Sequence, residues 1–413
     1  MIEYKKFTLD NGLRLIVHED DSTPMATVNI LYDVGARDET PEKTGFAHLF
    51  EHLMFGGSVN IPDFDGPLQQ AGGNSNAFTS SDITNYYNTL PAHNLETALW
   101  LESDRMLNLD FSQQSLAIQK KVVSEEFKQH YLNQPYGDVW HSILKLSYKE
   151  HPYSWPVIGK NLKHIENFEL ADVKNFFYKH YRPNNAIICI AGGVKTEEVL
   201  ALVKKWFGEI PSGETYNRKI KQEKEQTEQA RLMMEADVPH DAIYLTFKMP
   251  KRLDANYYAS DFLADILSGS RSSRLHQTLV KEKELFSNMD AHLTSWLDPG
   301  LLMLEGKLQK GVKMEDAEKA IWEVLDEVKT TITNEEEMVK VKHKIESSIE
   351  FSQNKLLNRA MDLCYYELVN EIELVNNEAE AYDKVKAAEV QNIATNYLKQ
   401  EQASILHYFS KNN

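Results

Sequence analysis

The feature that most constrains this chain is a repeat. Residues 172–190, DVKNFFYKHYRPNNAIICI, align without gaps with residues 389–407, EVQNIATNYLKQEQASILH. Each reads as an amphipathic helix followed by a buried strand. A second pair lies earlier in each half. Leu49-Phe-Glu-His-Leu-Met54 matches Phe262-Leu-Ala-Asp-Ile-Leu267, and a Gly/Ser-rich turn follows both. At 413 residues the chain exceeds what one ordinary core holds. The expectation is an α+β fold of two homologous α/β sandwich units, each a mostly antiparallel sheet with helices packed on it. Residues 214–230, ETYNRKIKQEKEQTEQA, carry almost no apolar side chains and read as the linker. The predicted domains are therefore 1–213 and 231–413.

The repeat is unequal in its chemistry. The first copy sits in Gly45-Phe-Ala-His-Leu-Phe-Glu-His-Leu-Met-Phe-Gly-Gly57. At 100° per residue, Phe46, Leu49, Phe50, Leu53 and Met54 fall in one apolar arc. His48, Glu51 and His52 fall on the other, and Gly56-Gly57 stops the helix. Thr40-Pro41-Glu42 supplies helix-start chemistry. Two imidazoles one turn apart can share a metal ion, usually Zn²⁺, and a nearby carboxylate can act as a general base. The bland alternative is a solvated polar face. In the second copy Ala264 stands for Glu51 and Asp265 for His52, so the metal chemistry is expected once per chain.

A third ligand has to come from elsewhere. The helix predicted over Gln113–Leu132 carries Glu125 and Glu126, with His130 one turn on. Periodicity does not choose between the two carboxylates. Between the helices, Ser75–Leu90 reads as two short strands flanking Ser81-Asp82. They form either an ordinary half-buried hairpin or an exposed edge that pairs with an extended peptide.

Composition excludes other classes. The net charge is −17, from 45 Lys and Arg against 62 Asp and Glu, which disfavours nucleic acid and anionic membranes as partners. No apolar run is long enough to span a bilayer. The first twenty residues lack the apolar core of a signal peptide and alternate like a strand. Cys189 and Cys364 both sit in apolar segments and read as buried free thiols. Together these predict a cytoplasmic protein, or a periplasmic or organellar one if a targeting segment was removed.

The combination HLFEH, GGNSNAFTSSDITNYY and VVSEEF, at these spacings, resembles the inverted-zincin metallopeptidases, the family of pitrilysin, insulin-degrading enzyme and the β subunit of mitochondrial processing peptidase. The resemblance covers essentially the whole chain. It implies a zinc endopeptidase holding one Zn²⁺ per chain on His48, His52 and Glu126, with Glu51 as general base. It implies that Asn76, Ala77, Phe78 and Thr79 form an edge strand that binds substrate backbone.

Three positions depart from the family. Gln119 replaces an acidic residue seven positions before the third ligand. Val280 and Ser287 stand where the family's C-terminal unit usually has an arginine and a tyrosine, with Lys281 the nearest cation in sequence. Family members enclose substrate between four such units, so two units make half of a clamshell. The implied partner is a homologous subunit supplying the Arg/Tyr pair, or else a second copy in a homodimer. The alternative function is a non-catalytic scaffold or peptide-binding subunit of the same fold.

Overall fold

A computed structural model describes residues 1–411. It resolves into two compact units. The first comprises residues 1–128, 155–220 and 349–377, and the second 129–154, 221–348 and the described residues from 378 onward.

The first unit contains a six-stranded sheet. In chain order its strands are β1 (Lys5–Thr8), β2 (Arg14–Glu19), β3 (Met25–Tyr32), β4 (Asn74–Thr79), β5 (Thr84–Pro91) and β6 (Ala186–Gly192). The spatial order is β1-β2-β6-β3-β5-β4, with only β2 and β6 parallel. The strand β6, Ala-Ile-Ile-Cys-Ile-Ala-Gly, is buried along its whole length. A continuous apolar run is what a strand covered on both faces requires. Ile187, Cys189 and Ala191 face a helix from far along the chain, Leu356–Leu368, packing on its Ala360, Leu363 and Cys364.

The second unit repeats the plan with five strands: β7 (Ala230–Ala236), β8 (Ala242–Lys248), β9 (Phe286–Leu293), β10 (Leu301–Leu308) and β11 (Ser404–Ser410). Their order is β7-β11-β8-β10-β9, and again one pair, β7 and β11, is parallel. Here the covering helix comes from the first half of the chain. Val139–Ser147 places Val139, Ile143 and Leu144 on Tyr244, Leu301, Met303, Leu406 and Tyr408.

The two α+β units with mostly antiparallel, open sheets are as the repeat implied. Their composition differs from the expected halves 1–213 and 231–413, because each unit borrows the helix that covers its sheet from the other half of the sequence. A repeat locates duplicated elements but does not say which sheet a later helix covers. The stretch 214–230 has no regular structure up to Gln229, yet it is tied down. In the first unit Arg218 bonds Asp33 and Asp38. In the second, Glu223 accepts the backbone N–H groups of Lys149, Glu150 and His151. Two helices, Leu162–Glu166 and Leu170–His180, precede β6.

Candidate metal centre

The helix carrying the two histidines runs Phe46–Phe55. Its apolar arc is at most 5% exposed at Phe46, Leu49, Phe50, Leu53 and Met54. Phe46 stacks on Phe168 at 4.0 Å, and Phe50 stacks on Phe176, Phe177 and Tyr181. Such aromatic packing fixes the rotation of the helix about its axis, and therefore where His48, Glu51 and His52 point.

The helix does not start at Thr40-Pro41-Glu42, which forms a small bridged turn from Thr40 to Lys43. It starts after Gly45, at φ +98°, where an added Cβ would lie 2.7 Å from the Ile158 carbonyl. The capping group is Glu39, which sequence reading missed. Its two carboxylate oxygens accept the N–H groups of Gly45 and Ala47, each at 2.9 Å, and the Trp155 indole donates at 3.1 Å. Burial pushes the Glu39 carboxyl up to about 8, against these three donors, which favour the ionised form. The signal in the sequence was an acidic residue a few positions before the helix, but reaching its N-terminus from Glu39 needs the intervening turn.

The candidate third ligand lies on Gln113–Phe127, capped by Ser112, which accepts the Ser115 N–H. Leu116, Val123 and Phe127 bury one face. Glu125 points away, its side chain 72% exposed and paired with Lys128 at 2.8 Å. Glu126 turns toward the histidines. Its Oε1 lies 3.6 Å from His48 Nε2 and its Oε2 lies 3.2 Å from His52 Nε2. After Phe127 the backbone widens into a π turn over Lys128–Leu132, and His130 is exposed there, outside the cluster.

One ligand atom from each of His48, His52 and Glu126 can be chosen so that all lie within 4.8 Å of one another. Ligand atoms on a tetrahedral Zn²⁺ at ordinary bond lengths are about 3.3 Å apart. The two Nε2–oxygen separations bracket that value, so the residues fit the ion. Burial holds the His48 imidazole below its ordinary range, against the pull of Glu126, and a neutral ring keeps a lone pair for a metal. His48 Nδ1 is buried without a hydrogen-bond partner, so packing rather than a second acceptor orients the ring.

Glu51 is outside this triad. Its Oε2 accepts the Thr79 hydroxyl at 2.7 Å. Thr79 ends β4, the strand at the edge of the first sheet. Along it Asn74, Asn76 and Phe78 are exposed, while Ser75, Ala77 and Thr79 are half-buried. The Ala77 N–H is capped by the Asn76 side-chain oxygen at 2.8 Å.

The second unit has no such cluster among the described residues. On its matching helix, Tyr257–Ser268, Asp265 pairs with Lys344 at 2.5 Å. Asp261 accepts the Tyr382 hydroxyl at 2.6 Å. Val280 lies in a π-helical stretch, His276–Glu282. Ser287 is exposed on β9 and donates to the Lys307 carbonyl at 3.1 Å. The half-buried Gln119 lies near Gly56, at the C-terminus of the His48 helix.

Two family models match consecutive parts of the chain. The one described as insulinase (peptidase family M16) matches residues 14–159, and the one described as peptidase M16 inactive domain matches residues 167–345. The chain belongs to peptidase family M16. Among M16 relatives, the zinc protease PqqE of Helicobacter pylori is 29% identical, over 97% of this chain and 92% of that protein. The zinc protease YmxG of Bacillus subtilis is 26% identical, over 91% and 93%. The crystal structure of a protease from Helicobacter pylori superposes with TM-score 0.92 at 27% identity, covering 99% of this chain and 100% of that one. The periplasmic protease PqqL from Escherichia coli gives TM-score 0.81 at 18% identity, and this chain spans 48% of its length.

The last comparison corrects the expected cytoplasmic location. A periplasmic protein has this fold, so neither the fold nor the residue pattern assigns the cytoplasm. Nor do the cysteines. Both thiols are free and fully buried, and burial protects a thiol in either redox environment.

Proposed function

We propose that this M16 chain is a zinc-dependent endopeptidase that cleaves extended peptides or unfolded protein segments. The observation that carries the reading is the convergence of His48, His52 and Glu126 beside a Glu51 carboxylate held by Thr79. His48, His52 and Glu126 would hold one Zn²⁺ per chain. When bound, Zn²⁺ supplies Lewis acidity, polarising a carbonyl oxygen and bringing the pKa of a water molecule down to about 7. Glu51 accepts the proton of the attacking water and passes it to the leaving amine. Thr79 presents the Glu51 carboxylate in one orientation. Asn76, Ala77, Phe78 and Thr79 offer the substrate an unpaired strand edge, and the Asn76 side chain swings off the Ala77 N–H as the peptide arrives.

Val280 and Ser287 leave this chain without the cation and phenol that would stabilise the oxyanion, a contribution of about 3 kcal/mol per donor. The working enzyme would then be a pair with a homologous subunit that brings an arginine and a tyrosine, with a homodimer as the other arrangement. The same two residues are what favours the second reading, a scaffold subunit that binds peptide without cleaving it.

The deciding experiment is Glu51→Gln with metal analysis. The wild type binds about one Zn²⁺ per chain and hydrolyses unfolded protein, alone or mixed with a companion. The variant keeps the metal and loses hydrolysis. Wild-type protein that holds zinc and cleaves nothing in any mixture makes the chain a scaffold. A metal-free active protein removes the site altogether.

A further inference from the structure

We propose that Arg218, in the linker, is a positioning residue for the metal centre: it clamps the turn that carries Glu39, and through Glu39 it fixes the N-terminus of the His48 helix. The inference rests on the zinc reading above. Every residue in it belongs to the first unit.

The clamp is made of side chains that meet only in the fold. Arg218 donates from Nε to Asp38 Oδ1 at 2.7 Å and from Nη2 to Asp38 Oδ2 at 3.1 Å. Its Nη2 also donates to Asp33 Oδ1 at 2.8 Å and to the Asp33 carbonyl at 3.0 Å. One guanidinium therefore grips both ends of the segment 33–38. The Asp38 side chain is fully buried, and that of Arg218 is 21% exposed. Asp38 also accepts the Gly35 N–H at 3.1 Å, which closes the single turn Ala36–Asp38. The next residue is Glu39. Its N–H bonds the Ala36 carbonyl, and its carboxylate caps Gly45 and Ala47. One charge-assisted pair, one peptide bond and one cap thus connect Arg218 to the first turn of the His48 helix.

Electrostatics makes the cap depend on the clamp. Asp38 and Glu39 are neighbours in sequence and both buried. Two such carboxylates repel each other, and a guanidinium on Asp38 offsets the repulsion. Without it a buried carboxylate loses its cation, and the turn relieves that by opening toward water. The other cation of the turn, Arg37, reaches Asp82 at 3.1 Å.

Packing brings the linker to this place. Two residues before Arg218, the Tyr216 ring stands edge-on to the buried His180 at 4.7 Å, and the Lys179 ammonium lies 4.3 Å from the ring centre. Both belong to the helix Leu170–His180, whose Phe176 and Phe177 stack on Phe50 of the His48 helix. The linker is therefore anchored to the turn that caps the His48 helix and to the helix that packs on it. A spacer that only joined two units would need neither anchor.

Amide exchange and zinc loss of the full-length protein test this. In metal-free protein, Arg218→Ala should speed exchange of the amides of residues 45–47 about tenfold and leave those of β6 unchanged. Excess EDTA should strip zinc from the same variant about tenfold faster than from the wild type. In a Glu39→Gln background, Arg218→Ala should add little, because both act through one cap. Arg218→Lys keeps the charge but not the planar fork, so its effect should be intermediate. Circular dichroism checks folding, and Arg218→Lys carries the test where Arg218→Ala does not fold. Wild-type exchange at residues 45–47 in either folded variant, equal acceleration in β6, or effects of Arg218→Ala and Glu39→Gln that simply add overturns the inference. A wild type that binds no zinc overturns the metal reading, while exchange in the metal-free protein still decides whether Arg218 holds the helix.

Discussion

At the scale of single residues, the centre turns on two adjacent glutamates. The helix period puts Glu125 and Glu126 only 100° apart, so pattern alone could not separate them. Packing does. Burial of Val123 and Phe127 sets the helix so that Glu126 faces the histidines and Glu125 faces Lys128. Glu126→Gln should release bound zinc, and Glu125→Gln should retain both metal and activity; metal titration and peptide hydrolysis check both. The Thr79 hydroxyl could not be read as a partner of Glu51 either. The two are 28 positions apart and meet only once β4 is docked. Thr79→Val should keep the metal and KM nearly unchanged while lowering kcat about 10-fold to 100-fold. An unchanged kcat would make the bond structural.

At the scale of elements, most strands and helices were legible because their periods are clean. The apolar run of β6 and the arc of the His48 helix are examples. What escaped was the way elements begin. Glu39, not the Thr-Pro-Glu that looks like a helix start, caps the His48 helix. Glu39→Gln turns an amide N–H₂ toward one of two N–H donors, a loss of about 1–3 kcal/mol. A fall in the urea midpoint together with weaker zinc retention is the expected result. In the second unit Glu318 joins Arg231 on β7, His407 on β11 and Trp322 on its own helix. Burial pushes its carboxyl up, but these donors outweigh burial and bring it from 4.5 to about 2. A folded-state value below the unfolded one means that stability is present above pH 4.5 and is lost as pH falls through about 2. Glu318→Gln should flatten that acid limb, as urea midpoints measured from pH 5 downward would show.

At the scale of the whole molecule, the duplication was visible in sequence, but the exchange of covering helices was not. Nothing in the pattern of Leu356–Leu368 says that its Cys364 belongs beside Cys189 rather than on the later sheet. The apolar faces of helices are interchangeable until sheets are there to choose between them. The exchange predicts the outcome of cutting the chain at the linker. Residues 1–213 alone lack the helix that covers β6, and residues 231–413 alone lack the one that covers β8 and β10. Each half expressed alone should aggregate, and co-expression of the two should recover soluble, zinc-binding protein. A soluble, zinc-binding 1–213 fragment would show that the borrowed helix is dispensable.

That exchange also bears on how the protein is made. Synthesis runs from the N-terminus, yet the unit holding His48 and Glu126 is complete only when residue 377 has emerged, and its companion unit needs residues up to the last strand. Neither can close early. A nascent or prematurely terminated chain would expose an uncovered sheet, the kind of surface that chaperones and quality-control proteases recognise. The capacity to cut other proteins would thus arrive only after residue 377 has been made, which protects the cell from a half-built protease while it is still being translated.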